Sequence, residues 1–423
     1  MKLRKVAAEE PFVLTAMASL LGALVWLNLR PRLLFQFFYS AEMRALTHLV
    51  TLGFASSLVQ GLSQRLVPQL LGVERPSAKA AWSHCIVWLL GAAGVVFHFA
   101  VEGFVGMAWA TLLTLASALW FGRNFAGVWR VARAGDPVAR WIAASCLHFA
   151  LVAALGASYA ALRVWGIGAN WLGAPLVDRL AAHFHLGLVG WLGGAIFGWQ
   201  LKFLPGTRAS GPVERVRFWA VQLGLVLLTA ALLAGVPTLR AGALLVAAGI
   251  VARSLPALAS WRRNPPGRVE IAAHGVLLLL AAVGVAFAFD WPEPGSPLRY
   301  SLGLAYGYVA LLCWVVLTVI GTSWKLFSAW VWEERFLPVR RLEPTPRAAE
   351  LPSAWLRKGS AGTLLVGGAL TVAAIVSATD DYQPLLLLRT GLALHLVGVV
   401  LFAVQFIRIA RWELLKLEWQ PPR

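Results

Sequence analysis

Charge is scarce in this chain: only 13% of its 423 residues are Asp, Glu, Lys or Arg. A soluble chain of that length needs about a quarter of its residues in those types to cover its surface. Carboxylates are the scarcest, 19 against 37 Lys and Arg, and almost none falls inside an apolar run. That argues against a proton-coupled carrier, which needs acidic groups in mid-membrane. There are three cysteines, Cys85, Cys146 and Cys313, each inside a long apolar run. No disulfide framework or zinc site follows from that spacing; they read as small packing residues. A phosphate-binding glycine loop and a nucleophile elbow are also missing, and Gly193-Gly194 and Gly367-Gly368 lie within apolar helices.

What is abundant is apolar: 59% of residues, with a mean hydropathy of +0.71. Runs of roughly 20 apolar residues are long enough to cross about 30 Å of hydrocarbon. Such runs predict helices at 11–29, 45–72, 80–101, 104–122, 141–162, 180–205, 216–236, 239–259, 269–289, 300–332, 361–379 and 384–407. The expected fold is an all-α membrane protein of about twelve transmembrane helices in one polytopic domain. Lys2, Arg4 and Lys5 precede the first run, which lacks a small-x-small cleavage site and reads as a retained helix.

Alternating the loops between two sides places 29 of the 37 Lys and Arg at the N-terminus, the even-numbered loops and the C-terminus. By the positive-inside rule those parts are cytoplasmic, N-in and C-in. The formal charge of +18 therefore reports orientation and contact with an anionic lipid bilayer rather than nucleic acid. The expected location is the inner (cytoplasmic) membrane, as a multi-pass protein. The segment 333–359 carries Arg335, Arg340, Arg341, Arg347, Arg357 and Lys358 among prolines and reads as a cytoplasmic linker. Trp165, Trp171, Trp291, Trp330 and Trp332 stand near helix ends, as in an interfacial aromatic belt.

Sliding the chain on itself by 137 residues, then by 123, reveals an internal repeat across helices two, six and ten. With His48, His185 and Tyr308 as position zero, position +5 holds Gly53, Gly190 and Cys313, and +6 holds Phe54, Trp191 and Trp314. Position +11 holds Val59, Ile196 and Val319, and +13 holds Gly61, Gly198 and Gly321. Arg65, Lys202 and Lys325 follow at +17, then Pro68, Pro205 and Ser328 at +20. Glycines permit close helix packing, and the aromatic fills space or anchors. The base lies about 25 Å along the helix from position zero, at the cytoplasmic headgroups. The expectation is three parallel four-helix repeats, approximately 1–135, 136–265 and 266–423.

The histidines supply the site. His48 lies four residues from Arg44, His98 four from Glu102, His185 six from Arg179 and His395 six from Arg389. Four helices thus put an imidazole roughly 6–9 Å below the outer boundary, with His183 just above. A six-coordinate haem takes axial imidazoles from two helices at one depth, and Arg44, Arg163, Arg179 and Arg389 are available to its propionates. His183 and His185 diverge by about 200° on a regular helix, so only one faces a given pore. His84, His148 and His274, on the inner side, read as hydrogen-bonded structural groups.

Twelve helices in three groups of four, with Thr47-His48-Leu49-Val50-Thr51-Leu52-Gly53-Phe54 on helix two and Ala182-His183-Phe184-His185-Leu186-Gly187-Leu188-Val189-Gly190-Trp191 on helix six, resemble subunit I of the haem-copper oxidases. The NnrS-like membrane proteins are nearer in flavour. That resemblance implies a haem-holding fold, with copper as a further metal, and a redox or nitric-oxide-related role. In its helix layout, helices two and twelve line one haem pore. His48 and His395 are then the first axial pair, with Arg44 and Arg389 near propionates. His185 and His98 are further metal or haem ligands, and His183 a supporting group. Helix seven has no histidine and helix ten only Tyr308 at the repeat position, so the resemblance stops short of an oxygen reductase. Whether the chain turns over a substrate stays open. A redox partner or a second copy are the partners implied. Two other readings are a small-solute transporter and an assembly subunit that kept the scaffold without cofactors.

Overall fold

The computed structural model describes residues 9–36, 39–166, 175–204, 211–262, 268–338, 340, 345–379 and 381–410. Among them every regular element is helical, and twelve helices are long and apolar enough to cross a membrane. We label these α1 (Glu9–Leu29), α2 (Ala41–Leu71), α3 (Ala78–Ala100), α4 (Phe104–Asn124), α5 (Pro137–Trp165) and α6 (Leu176–Phe203). They continue as α7 (Gly211–Ala234), α8 (Pro237–Ala259), α9 (Arg268–Ala288), α10 (Pro297–Arg335), α11 (Ala354–Ser377) and α12 (Leu385–Ile409). Each coincides with one apolar run of the sequence. The ends extend further where polar residues start the helix. The Ser40 side chain accepts from the Met43 amide to start α2, and Asp136 accepts from Ala139 to start α5, both N-caps that satisfy an otherwise open donor. Pro205, Trp171, Arg341 and the residues before Glu9 lie outside the described residues.

Packing divides the chain into two compact units. The first holds Met1–Ala23, Gln36–Ser260 and Leu277–Tyr300, and the second holds Leu24–Phe35, Trp261–Val276 and Ser301–Arg423. Within the first, α3 packs along α4, α7 along α8 and α4 along α5. Its centre is aromatic: Trp191 stacks on Phe149 at 4.2 Å, and Phe121 meets both rings edge-on. The Trp191 indole donates to Ser56 Oγ, and Trp88 donates to Ser57 Oγ, so each buried N–H is satisfied. Within the second unit, α11 packs along α12, and Ser360 Oγ donates to the Gly398 carbonyl at 2.8 Å.

Three helices are not uniformly α-helical. Residues Leu49–Ser56 of α2, Leu186–Gly193 of α6 and Val309–Val315 of α10 are π-helical. Each begins one residue after His48, His185 or Tyr308. Such widened turns are rare and concentrate at functional sites. They leave carbonyls in need of donors, and local hydroxyls supply them: Ser57 Oγ donates to Leu52 O and Ser145 Oγ to Trp191 O.

The three +13 glycines face α1, α5 and α9 respectively. A Cβ on Gly61 would meet Phe12 Cβ at 2.7 Å, one on Gly198 would meet Trp141 Cβ at 3.1 Å, and one on Gly321 would meet Glu270 Cγ at 2.8 Å. The +6 aromatics Phe54, Trp191 and Trp314 are all buried, as are the three cysteines.

Candidate functional site

His48 ends the α-helical first part of α2, immediately above the π-helical turn. Its Nδ1 lies 2.7 Å from the Arg44 carbonyl. A carbonyl only accepts, so Nδ1 carries the proton and the lone pair sits on Nε2. His185, at the same place on α6, is held by Ala181 O at 2.7 Å in the same way. Fixing one ring nitrogen by a backbone carbonyl is how proteins present the other to a metal. The two repeat histidines therefore share one local device.

The surroundings of His48 are all within the first unit. Its ring stacks on Phe99 at 4.7 Å. The His183 ring lies 5.9 Å from Tyr159 and over Gly156, where a Cβ would meet it at 3.1 Å. His183 Nδ1 is buried with no hydrogen-bond partner. Arg44 is held over the Tyr39 ring at 4.6 Å and pairs with Glu102 at 3.6 Å, and that carboxylate is 61% exposed. Arg163 sits over Phe104 at 4.8 Å.

The other expected residues each have their own setting. His98 is seated in the α3–α4 turn, its ring filling the space above Gly103 and Gly106. Arg389 is exposed near the start of α12. His395 is fully buried in the second unit, where its Nδ1 lies 2.9 Å from the Tyr308 hydroxyl. Helix ten thus keeps its polar group at position zero, and there the imidazole comes from α12. The first-choice pair, His48 and His395, belongs to two different units, and neither contains both. Among the described residues, no three His, Cys, Asp or Glu side chains converge as metal ligands.

Of the remaining histidines, His148 Nε2 meets Gln222 Oε1 at 2.7 Å, and His84 Nδ1 meets Gln64 Nε2 at 3.5 Å. Both are hydrogen-bonded within the core. Sequence spacing missed a buried charge cluster on α7 and α8. Glu214 accepts from the Trp141 indole at 2.8 Å and pairs with Arg253 at 3.4 Å and Arg217 at 3.6 Å. Arg253, 1% exposed, also donates to Phe197 O at 2.9 Å. The sequence signal was there as charged residues near the start of α7 and the end of α8.

The described residues thus form an all-helical protein with twelve helices long and apolar enough to cross a membrane, and half-buried imidazoles stand at the head of two π-helical turns. No protein-family model matches the chain, and no curated protein matches it.

Proposed function

We propose that the chain is a haem-binding redox protein of the cytoplasmic membrane, related in design to the oxidase-like and NnrS-like proteins and not an oxygen reductase. One observation carries this reading: His48, at the head of a π-helical turn and below Arg44, is locked by Arg44 O with its lone pair on Nε2. Two imidazoles from two helices and a neighbouring guanidinium are the donor set that a haem and its propionates require. His48 is the proposed axial ligand on α2 and His183 the proposed partner on α6. Arg44 is the proposed propionate contact, exchanging an exposed carboxylate for a bound one. Haem held between two imidazoles supplies one-electron transfer. Copper is left out of this reading, because no three ligand side chains converge among the described residues. His185 turns away from His183 by about 200° along the helix, so it serves a different neighbour.

The chain's own part is to fix the imidazoles before the cofactor arrives. The carbonyl bond at His48 sets the tautomer, and the Phe99 stack sets the ring plane. The repeat, recurring as position zero, π-helical turn and +13 glycine, supports three parallel four-helix groups. The positive-inside bias supports a cytoplasmic linker.

The test is a reduced-minus-oxidised spectrum of the detergent-solubilised protein from haem-replete cells, with pyridine haemochrome quantitation. Wild type is expected to show low-spin haem, His48→Ala and His183→Ala to lose it or turn high-spin, and His98→Ala to retain it. A colourless, well-folded wild type refutes the reading and moves solute transport to first place.

A further inference from the structure

Between α4 and α5 the chain forms an eight-residue helix, Ala126–Arg133, that spanning the membrane does not require. α4 has 21 residues, a length of about 30 Å at 1.5 Å per residue, which is the thickness of the hydrocarbon. The short helix starts two residues after Asn124, where α4 ends, and stops four before Pro137, where α5 begins. A residue of extended chain reaches at most about 3.5 Å, so links this short hold the helix at headgroup depth.

Its faces are sorted by burial. Val128 is 1% exposed, and Val131 and Ala132, three and four residues on, are partly buried on the same side. A Cβ on Gly127 would meet Val73 Cβ in the connection after α2 at 3.3 Å, and the helix packs against α5. The apolar face therefore sits on protein. The opposite face carries Trp129, Arg130 and Arg133, all exposed and within an arc of about 100° at 100° per residue. Arg123, exposed in the last turn of α4, adds a third guanidinium at the same boundary.

These charges are not neutralised within the protein. Among the described residues, none of Arg123, Arg130 and Arg133 makes an ion pair. Asp136, the one acidic residue between α4 and α5, accepts from the Ala139 amide to start α5. Glu9 is taken by Arg75.

We propose that this face docks the headgroups of anionic phospholipids, the three guanidiniums taking phosphate and Trp129 seated beside them. Guanidinium presents paired N–H donors that match phosphate, and an indole favours the same interfacial depth. Tethering at both ends decides against a soluble acidic partner, because the face meets lipid headgroups first. The proposal does not depend on haem.

The test places an environment-sensitive fluorophore on Ala126→Cys, an exposed position, against a background of buried native cysteines. The full chain is reconstituted in nanodiscs of phosphatidylcholine and phosphatidylglycerol, with bromine on the chains of one lipid or of the other at equal mole fraction. Brominated phosphatidylglycerol is expected to quench several-fold more than brominated phosphatidylcholine, and added salt should shrink the difference. Combining Arg123→Gln, Arg130→Gln and Arg133→Gln should abolish it without lowering the thermal midpoint. The same changes at the exposed Arg335, Arg340 and Arg347 should leave it intact. Equal quenching by both lipids overturns the proposal, and so does a preference that survives the first triple variant. No quenching by either lipid overturns it too, and hands the surface to a soluble acidic partner.

Discussion

At Glu214 one carboxylate answers two guanidiniums inside the membrane-spanning region. Its side chain is 3% exposed and that of Arg253 is 2%. Burying such a pair gains little over apolar packing, but removing one partner leaves a charge with nowhere to go. Glu214→Gln is therefore expected to destabilise the protein by about 3–5 kcal/mol, read as a lower thermal midpoint in detergent. The double variant Glu214→Leu with Arg253→Leu should recover part of the loss, because one of the two guanidiniums leaves with the carboxylate. A double variant as unstable as the single one would show that the cluster acts through the Trp141 and Phe197 contacts instead. The same scale shows what spacing can and cannot reveal. His48 and His185 were legible because each stands at one position of a repeat. The bond between Tyr308 and His395 joins residues 87 apart, and the Glu214–Arg253 pair joins residues 39 apart. Neither separation reflects a helical period, so only the packed helices bring the groups together. His183 against Tyr159 and Gly156 is the same case: spacing gives its helix face relative to His185 but not which helix it meets.

The twelve helices could be read from the sequence because the bilayer imposes a length and a polarity that leave a continuous signal. Their interiors were less legible. Nothing in Leu49–Ser56 distinguishes a π-helical turn from an α-helical one, since both are apolar and both alternate small and large residues. The widened turn depends on what packs against it: a Cβ on Gly53 would meet Ser19 Oγ at 2.5 Å, and one on Gly190 would meet His148 Cγ at 2.6 Å. The short amphipathic helix Ala126–Arg133 was missed for a different reason, being too short and too basic to register as a span. If the π-helical turn positions His48, its extra residue is the part that matters. Deleting Thr51 returns the turn towards α-helical winding and rotates everything above it by about 100° relative to the rest of α2. The expected result is unchanged helicity by far-ultraviolet circular dichroism with loss of haem, whereas Thr51→Ala keeps both. Haem retained in the deletion variant would mean that the ligand lies below the turn.

For the whole chain, the excess of Lys and Arg on one set of loops makes a prediction that needs no cofactor. The three native cysteines are buried, so single engineered cysteines can report sidedness without background. Arg340, in the long connection after α10, and Tyr382, before α12, are both exposed and fall on opposite sides in the alternating topology. With basic loops held on the cytoplasmic face, Tyr382→Cys should react with a membrane-impermeant maleimide in intact cells or spheroplasts. Arg340→Cys should react only after permeabilisation. That outcome puts the layer of His48 and His183 on the outer half of the membrane and the Lys325–Glu270 pair on the cytoplasmic half. The reverse labelling would invert both assignments together. It would show that the basic residues respond to something other than the insertion rule.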